Sequence, residues 1–280
     1  MHAGSNTMSD NAKQRDYWNG DVARNWVARL AHFERTLTGL TEALLAFAAP
    51  KPGMAVLDIG CGAGTTTAAV AKLVAPGKVV GLDISEPLIE AARALSSEHA
   101  GYILADASDY AFTPEYDLVL SRLGVMFFAD PVKSFANIRT ALRRGGKLAF
   151  ICWQPQNEIS YLSEPYQAVR DLFPAADPTP DNAPGPFGLA DGERTRAILE
   201  QAGFKHIRVE PCAPRSLLGN TLEEAVEQVM NMGPLARMVR EADEAAKAEM
   251  RRRIAPVLAK YQTEAGIEPP AACWLVGATA

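Results

Sequence analysis

The fold is decided by the stretch Val56-Leu57-Asp58-Ile59-Gly60-Cys61-Gly62-Ala63-Gly64-Thr65, in which a short apolar strand runs into three alternate glycines. Glycines at the junction of a strand and a helix let the backbone approach a ligand closely. The spacing differs from the dinucleotide fingerprint, whose third glycine would fall where Thr65 stands, and the Lys and Ser/Thr of a P-loop are missing. Asp58, two residues before the first glycine, suits an amino acid moiety because its carboxylate can hold an ammonium group.

Strand and helix signals alternate along the chain from residue 54 onward. Apolar runs predict strands at 54–59, 78–84, 102–105, 116–120 and 147–153, and helical spacing predicts helices at 65–74, 86–97 and 131–142, the last ended by Gly145-Gly146. This alternation predicts a parallel sheet with helices on both faces. A helix at 193–202 and strands at 207–210 and 272–278 complete an α/β fold with a doubly wound, mostly parallel seven-stranded sheet.

Three segments interrupt the alternation. Apolar residues at helical spacing from Val22 to Ala49 predict a helix that Pro50 ends. Five prolines between 173 and 187 predict a cover segment, not a core element. A later helical stripe is either a packing face or a face that contacts the substrate: Leu222, Val226, Val229 and Met230. We therefore expect a tail and helical leader at 1–50, the ligand-binding core at 51–153, a proline-rich cover segment at 154–190, more of the core at 191–216, a helical insertion at 217–263 and the last strand at 264–280.

The composition argues against several classes of partner. Lys and Arg number 28 against 33 Asp and Glu, a net charge of −5, so no global positive field is available to hold nucleic acid. The basic run Arg251-Arg252-Arg253 is interpreted as a solvated helix face, with anion binding as the alternative. No apolar run reaches the ~20 residues that span a bilayer, so we expect no membrane contact. The wide spacing of the cysteines predicts no metal site, no disulfide framework and a cytoplasmic location: Cys61, Cys152, Cys212 and Cys273.

The glycine loop has a close counterpart in a known family. The pattern Asp58-x-Gly60-x-Gly62-x-Gly64 resembles the first motif of class I S-adenosylmethionine-dependent methyltransferases. This resemblance implies the Rossmann-like methyltransferase fold and S-adenosylmethionine as the cofactor. It extends over about 17–153 and is strongest toward small-molecule methyltransferases similar to the enzymes that C-methylate ubiquinone and menaquinone.

The resemblance also assigns roles at the ends of the following strands. It implies that Asp83 accepts hydrogen bonds from both ribose hydroxyls, which suits a carboxylate facing a vicinal diol. Asp106, followed by Ala107, corresponds to the acid that takes the adenine amino group, and Ser121 lies near the methionine end. Within the loop, Cys61 is interpreted as a packing residue and not as a nucleophile. The expected cofactor-binding set is Tyr17, Asp58, Gly60, Cys61, Gly62, Gly64, Asp83, Ile84, Asp106, Ala107 and Ser121.

The implied reaction is an in-line transfer of a methyl group to an O, N or C atom of a small molecule, which needs alignment and exclusion of water and no metal. Enzymes that methylate nucleic acid bases carry an Asn/Asp-Pro-Pro-aromatic run after the fourth strand. Here Ser121-Arg122-Leu123-Gly124 stands at that place, which argues against such substrates.

His32 and Arg122 are candidates to act on the acceptor, each with a plain packing role as the alternative. Five aromatic side chains are candidates to favour the positive charge of the sulfonium, with core packing as the alternative: Tyr17, Trp18, Trp26, Phe127 and Phe128. Two alternative functions stay open: a non-catalytic S-adenosylmethionine sensor or scaffold, and a nucleotide-dependent oxidoreductase. The sequence does not identify the acceptor or the oligomeric state.

Overall fold

The computed structural model describes residues 11–95, 98–173 and 183–280. One mixed sheet in the order β3-β2-β1-β4-β5-β7-β6 organises the chain. Strands β1 to β5 are parallel, and β7 runs antiparallel between β5 and β6. The prediction of a doubly wound, mostly parallel seven-stranded sheet is confirmed. The strands are β1 Ala55–Ile59, β2 Lys78–Asp83, β3 Ala100–Leu104, β4 Tyr116–Arg122, β5 Leu142–Trp153, β6 Lys205–Cys212 and β7 Cys273–Thr279.

Eleven helices of the described residues surround this sheet. Neighbouring residues of a central strand face opposite sides, so Val56 of β1 packs into one core cluster and Leu57 into the other. Helices α3, α4, α7, α9 and α11 cover the first face, and α6 and α8 cover the second. The bounds are α1 Ala12–Asn19, α2 Asp21–Ala28, α3 Leu30–Ala48, α4 Thr65–Val74, α5 Glu86–Ala94, α6 Pro131–Arg139, α7 Ser160–Val169, α8 Gly192–Gln201, α9 Leu222–Met230, α10 Gly233–Glu241 and α11 Glu244–Ala259.

The start of β5 differs from the sequence prediction. Helix α6 ends at Arg139, and the strand already begins at Leu142, so Gly145-Gly146 lies inside the strand and does not end the helix. The pairing with β4 shifts between Tyr116 and Leu118, and Gly145 has a φ of 77°. A glycine in the left-handed region accommodates such a bulge without a Cβ clash. The glycine pair therefore marks an irregularity in the strand.

The leader forms three helices, two of which, α2 and α3, lie where the sequence predicts a single helix from Val22 to Ala49. Gly20 is extended between α1 and α2, and Arg29 leaves the helical region between α2 and α3. Apolar spacing continues through Arg29, so periodicity alone does not reveal that break, whereas α1 is polar and lies before the predicted helix. Helix α3 ends at Ala48, and its C-cap residue Ala49, with a φ of 47°, stands directly before Pro50, where the sequence predicts the end of the helix.

The cover contains a helix that the sequence does not predict. Helix α7 buries Tyr161, Leu162 and Val169 even though Pro165 lies within it, and it lies before the stretch 173–187 for which the sequence predicts no core element. The proline signal obscured the helical spacing of these residues. Residues 174–182, which carry three of the five prolines, lie outside the described residues.

The helical insertion packs on the same face as α7. The predicted stripe of α9 belongs to the first core cluster, with Val226, Val229 and Met230 buried and Leu222 packed beside them, which favours the packing interpretation. The run Arg251-Arg252-Arg253 of α11 is paired with the chain's own carboxylates, including Glu227 and Glu249. In the described parts of the chain, no helix is both long and apolar enough to cross a membrane.

Candidate functional site

A cavity of about 410 Å³ opens where the strand order reverses, beyond the carboxyl ends of β1, β2 and β4. In open α/β sheets this is the position where ligands bind. Its floor is the glycine loop, its sides come from the ends of β2 and β3, and its roof comes from the leader and the cover. The expected cofactor-binding residues that line it are Tyr17, Gly60, Cys61, Gly62, Asp83, Ile84, Asp106 and Ala107.

The three glycines of the loop serve three different purposes. All have positive φ, at 67° for Gly60, 56° for Gly62 and 84° for Gly64. A Cβ on Gly60 would lie 2.7 Å from the Cα of Gly124, and one on Gly64 would lie 2.5 Å from the Tyr102 hydroxyl. A Cβ on Gly62 would meet nothing within 4 Å. Gly60 and Gly64 therefore permit packing, whereas Gly62 leaves free space on the cavity floor.

Asp83 at the end of β2 joins the loop to the cavity. Its Oδ2 accepts a hydrogen bond from the Gly62 N–H at 2.8 Å, and its Oδ1 accepts one from the Ser85 N–H at 2.9 Å. Burial raises the pKa of this carboxyl, and the backbone hydrogen bonds oppose that shift. Each oxygen has a second lone pair, so the fixed carboxylate can still accept hydrogen bonds from a ligand.

Asp106 after β3 is held by the leader. The Asn11 Nδ2 group donates to both carboxylate oxygens at 2.8 and 2.7 Å, and the Ser108 N–H donates to Oδ1. Asn11 is buried and lines the cavity, yet nothing in the sequence marks it, because it lies in a polar segment without periodicity. The pairing brings the start of α1 against the end of β3.

Three residues of the expected set lie behind the cavity wall: Asp58, Gly64 and Ser121. The Ser121 hydroxyl donates to the Ile59 carbonyl at 2.7 Å and accepts from the Gly124 N–H at 3.2 Å, which ties β4 to β1. Asp58 is fully buried. Its Oδ2 accepts from the Thr67 hydroxyl at 2.7 Å, and its Oδ1 has no partner among the described residues. Burial raises the pKa of Asp58 to about 7, although Thr67 and the Arg122 guanidinium lower it.

Aromatic side chains of the leader form one wall of the cavity. The Trp18 ring lies edge-on to Tyr17, Trp26 and Phe127, with centroids 5.4, 6.2 and 5.2 Å away. Trp26 stacks on Phe33 at 4.4 Å. Phe128 also lines the cavity while its ring contacts Phe135 in the core. Such a wall excludes water and presents ring faces that attract a positive charge.

The two candidates for acting on the acceptor are placed differently. Arg122 lines the cavity, but its guanidinium makes a bidentate pair with Glu34 of α3, at 2.7 Å for both bonds, and donates to Thr41. His32 does not line the cavity, and its Nε2 is buried without a partner among the described residues. The next two residues of α3, Phe33 and Glu34, do line the cavity, and a role of His32 on the acceptor stays a prediction.

This geometry defines a class of site. A glycine loop at the reversal of strand order, with fixed carboxylates at the ends of the next two strands, is the arrangement that the resemblance to class I S-adenosylmethionine-dependent methyltransferases predicts for a cofactor site.

Comparison with known proteins agrees with that class. Residues 57–150, about a third of the chain, match the family described as "Methyltransferase domain", and this stretch holds the glycine loop, Asp83 and Asp106. Nocamycin O-methyltransferase of Saccharothrix syringae is 35% identical over 111 residues, 38% of this chain and 40% of that protein. Aklanonic acid methyltransferase DauC of Streptomyces sp. strain C5 is 34% identical over 119 residues, 40% of this chain and 54% of that protein. The chain thus spans about half or less of the length of these curated relatives.

A solved structure extends the likeness in fold. Phosphoethanolamine N-methyltransferase 2 of Haemonchus contortus, solved in complex with S-adenosyl-L-methionine, superposes with a TM-score of 0.55 at 21% identity. The superposition covers 99% of this chain and 60% of that chain. At this identity the likeness shows the fold.

The residues present fit S-adenosylmethionine. The open floor at Gly62 admits a ligand against the backbone, and the Asp83 carboxylate suits a ribose diol. The unpartnered Oδ1 of Asp58, below the loop, is a buried acceptor that a water bound to the ammonium group would satisfy.

Substitution of Gly60 and Gly62 distinguishes the cost of a backbone overlap from the cost of a positive φ alone. We expect Gly60→Ala to lower the free energy of unfolding by roughly 2–4 kcal/mol, because backbone strain adds to overlap with Gly124. Gly62→Ala carries the strain alone and should cost about 1 kcal/mol. Urea unfolding of both variants measures the difference, and equal losses would contradict the backbone contact at Gly60.

The buried Asp58 predicts a pH dependence of stability. Its pKa is about 7 in the folded protein against an ordinary value of 3.8, so the folded state alone holds this proton between these values. The stability that Asp58 contributes is complete below pH ~4 and is lost as the pH rises through about 7. Between pH 5 and pH 7 the wild type should lose about 2 kcal/mol relative to Asp58→Asn, measured by urea unfolding without ligand. Parallel stability curves would show that Asp58 is ionised throughout.

Removal of only one charge of the ion pair between Arg122 and Glu34 should lower the free energy of unfolding strongly. We expect Glu34→Gln to lower the free energy of unfolding by about 3 kcal/mol, because it leaves the Arg122 charge, 9% exposed, without a counter-charge. The double variant Glu34→Leu with Arg122→Met removes both charges and should recover more than half of that loss. A double variant that is as unstable as the sum of the single variants would argue against this account.

Proposed function

We propose that this protein transfers a methyl group from S-adenosylmethionine to a small-molecule acceptor. One observation carries the proposal: a single cavity holds the open glycine loop and the Asp83 and Asp106 carboxylates at one end and an apolar cover at the other. The relatives named for nocamycin and aklanonic acid support an acceptor of small size.

The chain's own residues divide the work of binding. Asp83, fixed by the Gly62 and Ser85 N–H groups, would accept the ribose hydroxyls, and Asp106, held by Asn11, would accept the adenine amino group. Cys61, Ile84 and Ala107 line the same end of the cavity and would pack around the nucleoside. S-adenosylmethionine supplies a methyl group on a positively charged sulfur, which the aromatic wall around Trp18 would favour.

The protein would promote transfer mainly by alignment. Holding a donor and an acceptor in line can supply much of the rate enhancement, provided that water is kept out. The roof made by the leader and α7 excludes water, and the described cavity walls carry no histidine that could serve as a general base. We propose an acceptor atom, whether O, N or C, that is nucleophilic enough to react when aligned.

Of the two alternatives, the oxidoreductase is the weaker. Thr65 occupies the position of the third glycine of the dinucleotide fingerprint and begins α4, and the relatives above are methyltransferases. A sensor that binds S-adenosylmethionine without turnover would share the cofactor site. The covered second half of the cavity favours an enzyme, because a sensor needs no space for an acceptor.

Calorimetric titration tests the cofactor site. We expect S-adenosylmethionine and S-adenosylhomocysteine to bind the wild type and NAD not to bind. Asp83→Asn and Asp106→Asn should each weaken binding of S-adenosylhomocysteine roughly tenfold to a hundredfold, the effect of losing a hydrogen bond to a charged group.

The matched control is Asp109→Asn, an exposed carboxyl three residues beyond Asp106 that does not line the cavity. It should leave the affinity unchanged. Tight NAD binding without the adenosyl ligands would overturn the proposal, as would equal effects of the three substitutions.

A further inference from the structure

One buried side chain in the helical insertion has a hydrogen-bond donor from which no described residue accepts. Gln228 of α9 is 3% exposed and lines the cavity. Its Oε1 accepts from the Arg29 Nη2 group at 2.9 Å, and no atom of the described residues accepts from its Nε2 group. Because Gln228 lines the cavity and no described residue accepts from Nε2, this donor is available to a ligand atom there.

Arg29 determines which way this amide faces. A guanidinium group only donates hydrogen bonds, so the oxygen of Gln228 must face Arg29 and the NH₂ group must face away. Arg29 is itself held, because it caps α2 and its guanidinium lies 5.2 Å from the centre of the Phe33 ring. The donor direction of Gln228 is therefore set before any ligand binds.

The surroundings of Gln228 limit the chemistry of that ligand. The cover end of the cavity is lined mainly by aromatic and aliphatic side chains, namely Trp26, Phe33, Tyr161, Leu162, Phe187 and Met232. Its two charged groups, Glu34 and Arg122, engage each other through both carboxylate oxygens. Arg29, the other cation near Gln228, does not line the cavity. A charged ligand would therefore have to break the pair of Glu34 and Arg122 or enter without a counter-charge in contact with it, and either is costly in an apolar site.

We propose that Gln228 binds the methyl acceptor, and that the acceptor is a neutral, mainly aromatic molecule whose hydroxyl or carbonyl oxygen accepts a hydrogen bond from Nε2. This inference rests on the proposed function and assigns the acceptor end of the same cavity. Gln228 acts as a specificity-determining residue, because an acceptor without such an oxygen leaves the buried donor unpaired.

The test uses two probes of nearly equal shape. 2-Acetylnaphthalene carries a carbonyl oxygen where 2-isopropenylnaphthalene carries a CH₂ group. On wild-type protein saturated with S-adenosylhomocysteine, the acetyl probe should bind roughly threefold to tenfold more tightly by equilibrium dialysis. 2-Naphthoate should bind more weakly than the acetyl probe because it is charged.

Two variants separate binding from a structural role. Gln228→Glu keeps the bond to Arg29 but replaces the NH₂ donor by an acceptor oxygen, whereas Gln228→Met keeps the bulk and loses both bonds. Both variants should abolish the preference for the acetyl probe. A preference that survives in Gln228→Glu would contradict a binding role and leave Gln228 with only the structural bond between α9 and Arg29 of the leader. No preference in the wild type, no binding of either probe, or tighter binding of 2-naphthoate would also overturn the inference.

Titration with S-adenosylhomocysteine distinguishes this inference from the proposed function. Both variants should bind this ligand within about twofold of the wild type, because Gln228 lies at the other end of the cavity. If the wild type does not bind S-adenosylhomocysteine, the proposed function fails. If it binds and no probe preference is found, only the assignment of Gln228 fails.

Discussion

The close contact of two backbones at the ends of β1 and β4 is the constraint on which the site depends. Gly60 and Gly124 approach so closely that a Cβ on either would lie within 2.8 Å of the other residue's Cα. Ser121 holds this contact by bonding to Ile59 and Gly124 together. The glycine loop is thereby placed at the reversal of strand order, and its middle glycine, Gly62, faces the cavity. An ordinary side chain at either contact position would move the floor of the site.

Polar contacts between distant segments then close the cavity around that floor. Asn11 binds Asp106, Glu34 binds Arg122, and Arg29 binds Gln228, so three points of the leader attach to β3, β4 and α9 in turn. Each contact is at least part-buried, where a hydrogen bond lost from one side leaves an unpaired group. The leader therefore forms part of the cavity wall near Asp106, and it also holds Arg122 and Gln228 in place at the proposed acceptor end of the cavity.

Local patterns in the sequence predict the sheet, the glycine loop and the acids at the strand ends, because period and spacing report short-range structure. They do not predict the contacts that close the cavity. Asn11 and Asp106 are 95 residues apart, Glu34 and Arg122 are 88 apart, and Arg29 and Gln228 are 199 apart. The helix α7 is missed because prolines dominate its segment. The break between α2 and α3 is missed because the apolar spacing continues through Arg29, and α1 is missed because it is polar. The likeness to quinone C-methylating enzymes and the direct contact of Asp58 and Ser121 with the cofactor stay predictions.

The most direct test of the central claim is a crystal structure of the protein with S-adenosylhomocysteine. The account predicts the nucleoside over Gly62, the ribose hydroxyls within about 3 Å of the Asp83 oxygens, and the adenine amino group at Asp106. The homocysteine sulfur should face the cover end of the cavity, where Gln228 lies. A ligand bound elsewhere, or one whose ribose lies beyond hydrogen-bond distance of Asp83, would contradict the account.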